Sequence, residues 1–136
     1  PINAIRIFND KEVDELIVLD INASKDGRGP NYALIESFAN ECFMPLCYGG
    51  GIRSVDQAQR LFSLGVEKVC LQTAVFDDPS IITRIAEKFG SQSVVVSVDI
   101  KKSWLGKHKL YRSVDGKTIY TTKTLKVGLF TPDNAF

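Results

Sequence analysis

The residues best suited to bind a ligand are three consecutive glycines, Gly49-Gly50-Gly51, which directly follow an apolar stretch. Each glycine costs about 0.5–1 kcal/mol relative to alanine inside a helix or strand. At the end of a strand, however, such a run lets the backbone approach a ligand closely, and clustered backbone N–H groups favour a phosphate. The sequence therefore predicts a phosphate-binding turn that includes Gly50 and Gly51. A tight turn that needs positive φ is the alternative.

Polar residues follow the other apolar runs at the equivalent position. Asp20 comes after "LIVL", Gln72 and Thr73 come after "KVCL", and Asp99 and Lys101 come after "VVVSV". In parallel α/β folds the chemistry lies at the C-terminal ends of the strands. We therefore expect Asp20, Gln72, Thr73 and Lys101 to bind a substrate beside the glycines. For Asp20 the alternative is a loop residue with local side-chain hydrogen bonds.

Asp99 is the candidate general acid or base. Its carboxylate follows an apolar run, and burial at the rim of a core can raise the pKa of a carboxyl group toward neutrality. The alternative is an aspartate that pairs with Lys101 or Lys102, or that caps a loop. His108, the single histidine, falls in a basic segment where we do not expect a catalytic role.

Four apolar runs rich in Val, Ile and Leu have the continuous character of strands that are buried on both faces of a parallel sheet. Between them lie stretches with a helical period of 3.6 residues. Ser54 and Asp78 are placed to cap two of these helices, and Gly65 and Gly90 are placed to end them. The runs cover residues 16–21, 45–50, 68–74 and 93–100.

This alternation predicts an α/β fold, either a doubly wound sheet or a (β/α)8 barrel. The barrel is favoured because no GxGxxG motif follows the first strand. Four strands cannot close a barrel, and natural proteins avoid open apolar sheet edges. Thr131, Pro132 and Asp133 also predict the start of a further helix. We therefore expect residues 1–136 to be a single fragment of a (β/α)8 TIM barrel with about four parallel strands.

Residues 101–126 contain eight Lys and Arg and one acidic residue, whereas the first 100 residues contain nine and fourteen. Alternating side chains and an Asp-Gly pair predict a β-hairpin insertion over residues 103–122, after the fourth strand. A basic stretch can bind nucleic acid. The aromatic residues alternate as in a strand, however, so a solvated hairpin is favoured and no nucleic-acid partner is expected. In a third interpretation, the basic stretch helps to hold an anionic substrate.

The composition is ordinary for a globular protein, with 44% hydrophobic residues, 24% charged residues and a net charge of +1. The sequence has no apolar run of about 18 residues and no basic-then-apolar leader, so we expect a cytoplasmic protein without a membrane partner. The cysteines Cys42, Cys47 and Cys70 follow no metal-ligand spacing. We expect core thiols, no metal and no cofactor.

Four segments together resemble the cyclase subunit of imidazole glycerol phosphate synthase: "DELIVLDINAS", "YGGGIRS", "GVEKVCLQTAVFDDPSII" and "FGSQSVVVSVDIKK". The similarity runs from residue 1 to about residue 102 and continues more loosely through the hairpin. It implies strands two to five of a (β/α)8 barrel and an enzyme of histidine biosynthesis. In that family, ammonia from a glutaminase (glutamine amidotransferase) subunit attacks a phosphorylated ribonucleotide. The products are imidazole glycerol phosphate and aminoimidazole carboxamide ribonucleotide.

The resemblance assigns catalytic and phosphate-binding roles. Asp99 matches the fifth-strand member of a pair of acid–base aspartates, whose first-strand member is not in the sequence. Gly51, Gln72 and Thr73 match one of the two phosphate sites of the family. The sequence reads "QTA" where the family usually has Asn first, so the longer amide of Gln72 implies a shifted phosphate contact.

The resemblance also assigns roles on the opposite face of the barrel. Glu15 and Lys68 match members of the charged ring through which ammonia enters, and Glu67 and Gln92 fall where the family docks its glutaminase. Two segments, "CYGGGI" and "VDIKKSWLGK", look more like a paralogous branch that is implicated in amidating an acetamido sugar of surface polysaccharides. An alternative of another class is a non-catalytic half-barrel that binds a partner.

Overall fold

The computed structural model describes residues 2–102, 108–112, 115 and 117–119. These residues belong to two compact units that divide between Ser97 and Val98. The predicted helix start at Thr131 lies outside the described residues, as do residues 103–107, 113, 114, 116 and 120–122 of the predicted hairpin.

The first unit alternates helices with the strands of one parallel sheet, whose strands are ordered β1-β2-β3-β4. This arrangement confirms the predicted α/β class and is consistent with part of a (β/α)8 barrel. A 3₁₀ turn at Ser91–Ser93 precedes the last strand. The elements are α1 (Ile2–Asp10), β1 (Leu16–Leu19), α2 (Tyr32–Glu41), β2 (Leu46–Gly49), α3 (Val55–Ser63), β3 (Lys68–Leu71), α4 (Thr73–Asp77), α5 (Ser80–Phe89) and β4 (Val94–Val96).

The core lies between the sheet and the helices. In the registered strands Tyr48 is opposite Val69, and Val69 is opposite Val94, so these side chains share one face of the sheet. Leu61 of α3 and Ile85 of α5 are fully buried in the same apolar cluster. The helices predicted from the sequence period therefore form the layer that covers this face.

The other face of the sheet differs from the prediction that all four strands are buried on both faces. The side chains of Ile17 and Leu19 in β1 are each 54% exposed. The central strands β2 and β3 are covered, and Cys47 and Cys70 on this same face are buried. The prediction was wrong for β1. An apolar sequence permits a strand face to be buried, but the face is buried only where other elements pack against it.

Three of the four predicted helix-end residues lie where they were expected. Ser54 Oγ accepts a hydrogen bond of 3.2 Å from the Gln57 N–H at the start of α3. Asp78 Oδ1 accepts one of 3.1 Å from the Ser80 N–H, but the N-cap residue of α5 is Pro79, so Asp78 lies one residue before the cap. Gly65 and Gly90 have φ values of +98° and +92° after the two helices, as expected for glycine at a helix end.

Two predicted strands end earlier than expected. The apolar run 68–74 extends past its strand, since β3 ends at Leu71 and Thr73 already begins α4. The run 93–100 was predicted as one strand, but β4 ends at Val96. The Ser97 N–H still donates to Leu71 O at 2.8 Å, and the chain then enters a different sheet.

The second unit contains an antiparallel sheet of β5 (Asp99–Lys102), β6 (His108–Arg112) and β7 (Lys117–Ile119). β6 pairs with β7 in antiparallel register, with Arg112 opposite Lys117. That residues 103–122 form an insertion in a barrel stays a prediction. Among the described residues, no helix is both long enough and apolar enough to cross a membrane.

Candidate functional site

Residues from three strands meet at the C-terminal edge of the parallel sheet. Gly49 of β2 is registered with Cys70 of β3, and Gly51 and Gln72 each follow two residues later in the chain, beyond the ends of these strands. On the other side, the Asp20 N–H donates to Gly49 O at 2.8 Å. Five of the predicted site residues therefore lie just after the C-terminal ends of β1, β2 and β3, and we call this set the C-terminal edge: Asp20, Gly50, Gly51, Gln72 and Thr73.

The turn after β2 requires glycine for two reasons. Gly50 and Gly51 have φ values of +131° and +69°, which side-chain-bearing residues rarely adopt. A Cβ atom on Gly50 would lie 2.6 Å from Asp20 O, and one on Gly51 would lie 2.6 Å from Arg28 O. The alternative interpretation of a tight turn with positive φ is thus confirmed. Part of the space left by the missing side chains is filled by the chain between β1 and α2.

Asp20 is held by several hydrogen bonds. Its Oδ1 accepts from the N–H groups of Asn22 at 3.2 Å and Ala23 at 3.1 Å, as the alternative of local hydrogen bonds predicts. Arg28 adds a two-pronged ion pair, with Nη1 donating to Oδ2 at 2.9 Å and Nη2 to Oδ1 at 3.1 Å. Burial opposes ionisation of Asp20, but the hydrogen bonds from Arg28 and the two N–H groups outweigh it and lower its pKa.

Arg28 is a residue of the edge that the sequence did not reveal. It lies eight residues after Asp20 in an irregular loop, so no helical or strand period relates the two. Its Nε donates to Asp26 Oδ2 at 3.2 Å. The only sequence signal is its charge, which falls in a loop that contains two aspartates.

Gln72 and Thr73 lie at the junction of β3 and α4. Gln72 caps α4 with its backbone, since its C=O accepts from the Val75 N–H at 3.2 Å, and its side chain makes no cap hydrogen bond. Both residues are half-buried. Their amide and hydroxyl groups can therefore donate to a ligand oxygen beside the glycine turn.

The opposite, N-terminal edge of the sheet carries the second predicted set. Lys68 Nζ lies 2.9 Å from Glu15 Oε1 and 2.8 Å from Oε2, and this bonding raises the pKa of Lys68. Glu67 is exposed, and its N–H donates to Leu46 O at 2.9 Å. Gln92 is exposed and places its carboxamide against Gly90.

Buried groups with raised pKa values lie between the two edges. Burial, with smaller effects of Cys70 and Glu15, raises the pKa of the Cys47 thiol to about 11. Burial also raises the pKa of Cys70. Both thiols are core residues as predicted, whereas Cys42 is only partly buried. Burial and the nearby Asp20 carboxylate raise the pKa of Tyr48 to about 12.

Asp99 and Lys101 belong to the second unit. Asp99 is half-buried in β5, opposite Tyr111 of β6. The Lys101 ammonium lies 5.0 Å from the centre of the Tyr111 ring, within the range of a cation–π contact. The catalytic role of Asp99 and the substrate contact of Lys101 stay predictions.

A parallel sheet with helices between its strands and polar groups along its C-terminal edge defines a β/α protein of the (β/α)8-barrel type. The chain belongs to the family described as "Histidine biosynthesis protein", whose family model matches residues 1–127.

Three curated relatives illustrate the similarity. "Putative imidazole glycerol phosphate synthase subunit hisF2" of Pseudomonas aeruginosa is 61% identical over 111 residues, which are 82% of this chain and 44% of that protein. The "hisF3" counterpart of Vibrio vulnificus is 58% identical over 106 residues, 78% of this chain and 41% of that protein. "Imidazole glycerol phosphate synthase subunit HisF" of Chlorobium chlorochromatii is 43% identical over 124 residues, 91% of this chain and 49% of that protein. The chain thus spans less than half the length of each.

Proposed function

We propose that the chain forms part of the cyclase subunit of imidazole glycerol phosphate synthase. The subunit uses ammonia from a glutaminase partner and a phosphorylated ribonucleotide substrate. Its products are imidazole glycerol phosphate and aminoimidazole carboxamide ribonucleotide. Family membership and the names of the relatives support this class of function.

The observation that carries the proposal is the C-terminal edge. Gly51 and Gln72 each follow the registered pair Gly49 and Cys70 by two residues, just beyond the ends of β2 and β3, and Thr73 follows Gln72 directly. Backbone N–H groups at a glycine turn, an amide and a hydroxyl together form a donor set suited to a phosphate. In the proposed function this edge binds one phosphate of the substrate.

The remaining residues take the roles that the resemblance assigns. Asp99 acts as one of two acid–base groups, and Lys101 contributes positive charge to the substrate. Glu15 and Lys68 form part of the gate through which ammonia enters, and their contact of 2.8 Å supports a closed pair at the N-terminal edge. Glu67 and Gln92, both exposed at that edge, contact the glutaminase.

A second candidate is the paralogous barrel that uses ammonia to amidate a sugar of surface polysaccharides. The observation in its favour is the high identity to two relatives with suffixed names. The Pseudomonas aeruginosa "hisF2" and Vibrio vulnificus "hisF3" proteins are 61% and 58% identical, against 43% for the Chlorobium chlorochromatii protein, whereas the Campylobacter jejuni "hisF2" protein is 42% identical. Rescue of a histidine auxotroph by the natural gene supports the histidine pathway, whereas failure of an expressed, folded protein to rescue favours the paralogue.

The catalytic assignment is tested with Asp99→Asn in the full-length natural protein at saturating ammonia. We expect turnover to fall by at least about 10²-fold, because the amide can neither accept nor donate the proton. Asp10→Asn, an exposed change on α1, is the matched control and should leave turnover unchanged. Wild-type turnover in Asp99→Asn would contradict the assignment of Asp99.

A further inference from the structure

We propose that Arg28 is a positioning residue that clamps the β1–α2 loop, residues 20–31, onto the glycine turn. The inference rests on the proposed function, since it assigns a cause to the geometry of the phosphate-binding edge. Arg28 itself need not touch the substrate. It acts through Asp20, Gly50 and Gly51.

Two backbone carbonyl oxygens of the β1–α2 loop lie against the glycine turn. The carbonyl oxygen of Asp20 fills the space beside Gly50, and that of Arg28 fills the space beside Gly51, each 2.6 Å from where a Cβ atom would lie. The side chains of the same two loop residues are joined by the two-pronged ion pair. One interaction therefore joins the two loop residues whose carbonyl oxygens lie nearest to Gly50 and Gly51.

The ion pair is well suited to fix this geometry. A guanidinium group that donates two parallel hydrogen bonds to a carboxylate restricts orientation as well as distance. Asp26 accepts from the third nitrogen, Nε, so the guanidinium plane is held at three atoms. Asn22 and Ala23 add N–H donors to Asp20, so the carboxylate is anchored to the first turn of the loop.

The pair also changes the charge of the edge. An unpaired Asp20 carboxylate beside Gly50 would repel a phosphate dianion. Arg28 neutralises it, and the hydrogen bonds occupy both carboxylate oxygens. Asp20 was predicted as a substrate-binding residue, and in this inference it supports the loop instead.

The test compares Arg28→Met and Arg28→Lys with Arg6→Met in the full-length natural protein. Arg6 makes a comparable two-atom ion pair with Glu41, at 3.3 Å for each contact, between α1 and α2. Amide hydrogen exchange is measured over residues 20–31 and 49–53, and binding of inorganic phosphate is measured by calorimetry. Thermal unfolding checks that each variant is folded.

For Arg28→Met we expect the amides of Asn22, Ala23 and Gly51 to exchange at least about tenfold faster. We expect phosphate to bind about tenfold more weakly, because misplaced donors lose most of their effect. Arg28→Lys should not restore either property, since an ammonium cannot make the two parallel bonds. Arg6→Met should leave both unchanged.

Unchanged exchange in Arg28→Met, or faster exchange with wild-type phosphate affinity, would overturn the clamp. A wild-type protein that binds no phosphate would instead contradict the proposed function. The exchange rates of residues 20–31 would then still test the clamp alone.

Discussion

Lys68 Nζ contacts both carboxylate oxygens of Glu15, at 2.9 and 2.8 Å, although Lys68 begins β3 and Glu15 precedes β1, and these strands are not neighbours. β2 lies between β1 and β3 in the sheet, and Cys47 of β2 is registered with both Ile17 and Lys68. The ion pair therefore spans the N-terminal end of β2. In the proposed function this ion pair closes the ammonia entrance on the side of the sheet where Ile17 and Cys47 lie.

Replacing Lys68 should uncouple the use of glutamine from the use of free ammonia. In Lys68→Met we expect glutamine-driven turnover to fall several-fold, because Glu15 loses its partner and the entrance no longer closes. Turnover with ammonia added directly should change little. Lys88→Met, which removes an exposed lysine bonded to Gln59, is the control. Equal losses with both nitrogen sources would argue against a gate.

Gly51→Ala should destabilise the protein more than Gly27→Ala. The two glycines have nearly the same φ, +69° and +68°, so the strain of a left-handed residue, about 1–2 kcal/mol, is shared. A Cβ atom on Gly27 would meet nothing within 4 Å, whereas one on Gly51 would meet Arg28 O at 2.6 Å. We expect a further ~1–3 kcal/mol for Gly51→Ala in urea unfolding. Equal free energies of unfolding would mean that the loop moves away at little cost.

Much of the parallel sheet could be predicted because its signals are local. A run such as "LCYG" followed by glycines, and a helix that begins at Ser54, combine burial, period and capping within a few residues. The C-terminal edge followed from topology alone, since parallel strands place their ends together. The positions of Gly50, Gly51 and Gln72 after their strands follow in this way, and their roles in binding stay predictions.

The parts that were missed depend on contacts that no local pattern contains. "SVVVSVDI" satisfies strand propensity throughout, yet the ladder to β3 ends with Ser97, and Asp99 pairs with Tyr111 instead. The helix Thr73–Asp77 is too short to show a period. Arg28 reaches Asp20 only because the loop folds back, and loop geometry has no repeating sequence signal.

The three cysteines should differ in reactivity. Cys47 is fully buried and its pKa is raised to about 11, so it should resist alkylation in the folded protein at about pH 8. Cys70 is also buried, with a raised pKa. Cys42 is partly exposed and should react first. Mass spectrometry of peptides after timed iodoacetamide treatment measures the order, with a urea-unfolded sample as the control. Rapid labelling of Cys47 in the folded protein would contradict its burial.

The Asp20–Arg28 pair should make stability depend on acid pH. The pKa of Asp20 is lower in the folded chain than its ordinary value of 3.8, so the folded state favours the ionised carboxylate. Its contribution is therefore fully present above about pH 4 and decreases as the pH falls through the folded pKa. The free energy of urea unfolding should be higher for wild type than for Asp20→Asn at about pH 7, and this difference should shrink toward about pH 3. Asp10→Asn, an exposed change on α1, provides the control series. If the difference between wild type and Asp20→Asn instead grew as the solution was acidified, the protonated carboxyl would be the stabilising form and the ion pair would not hold the loop.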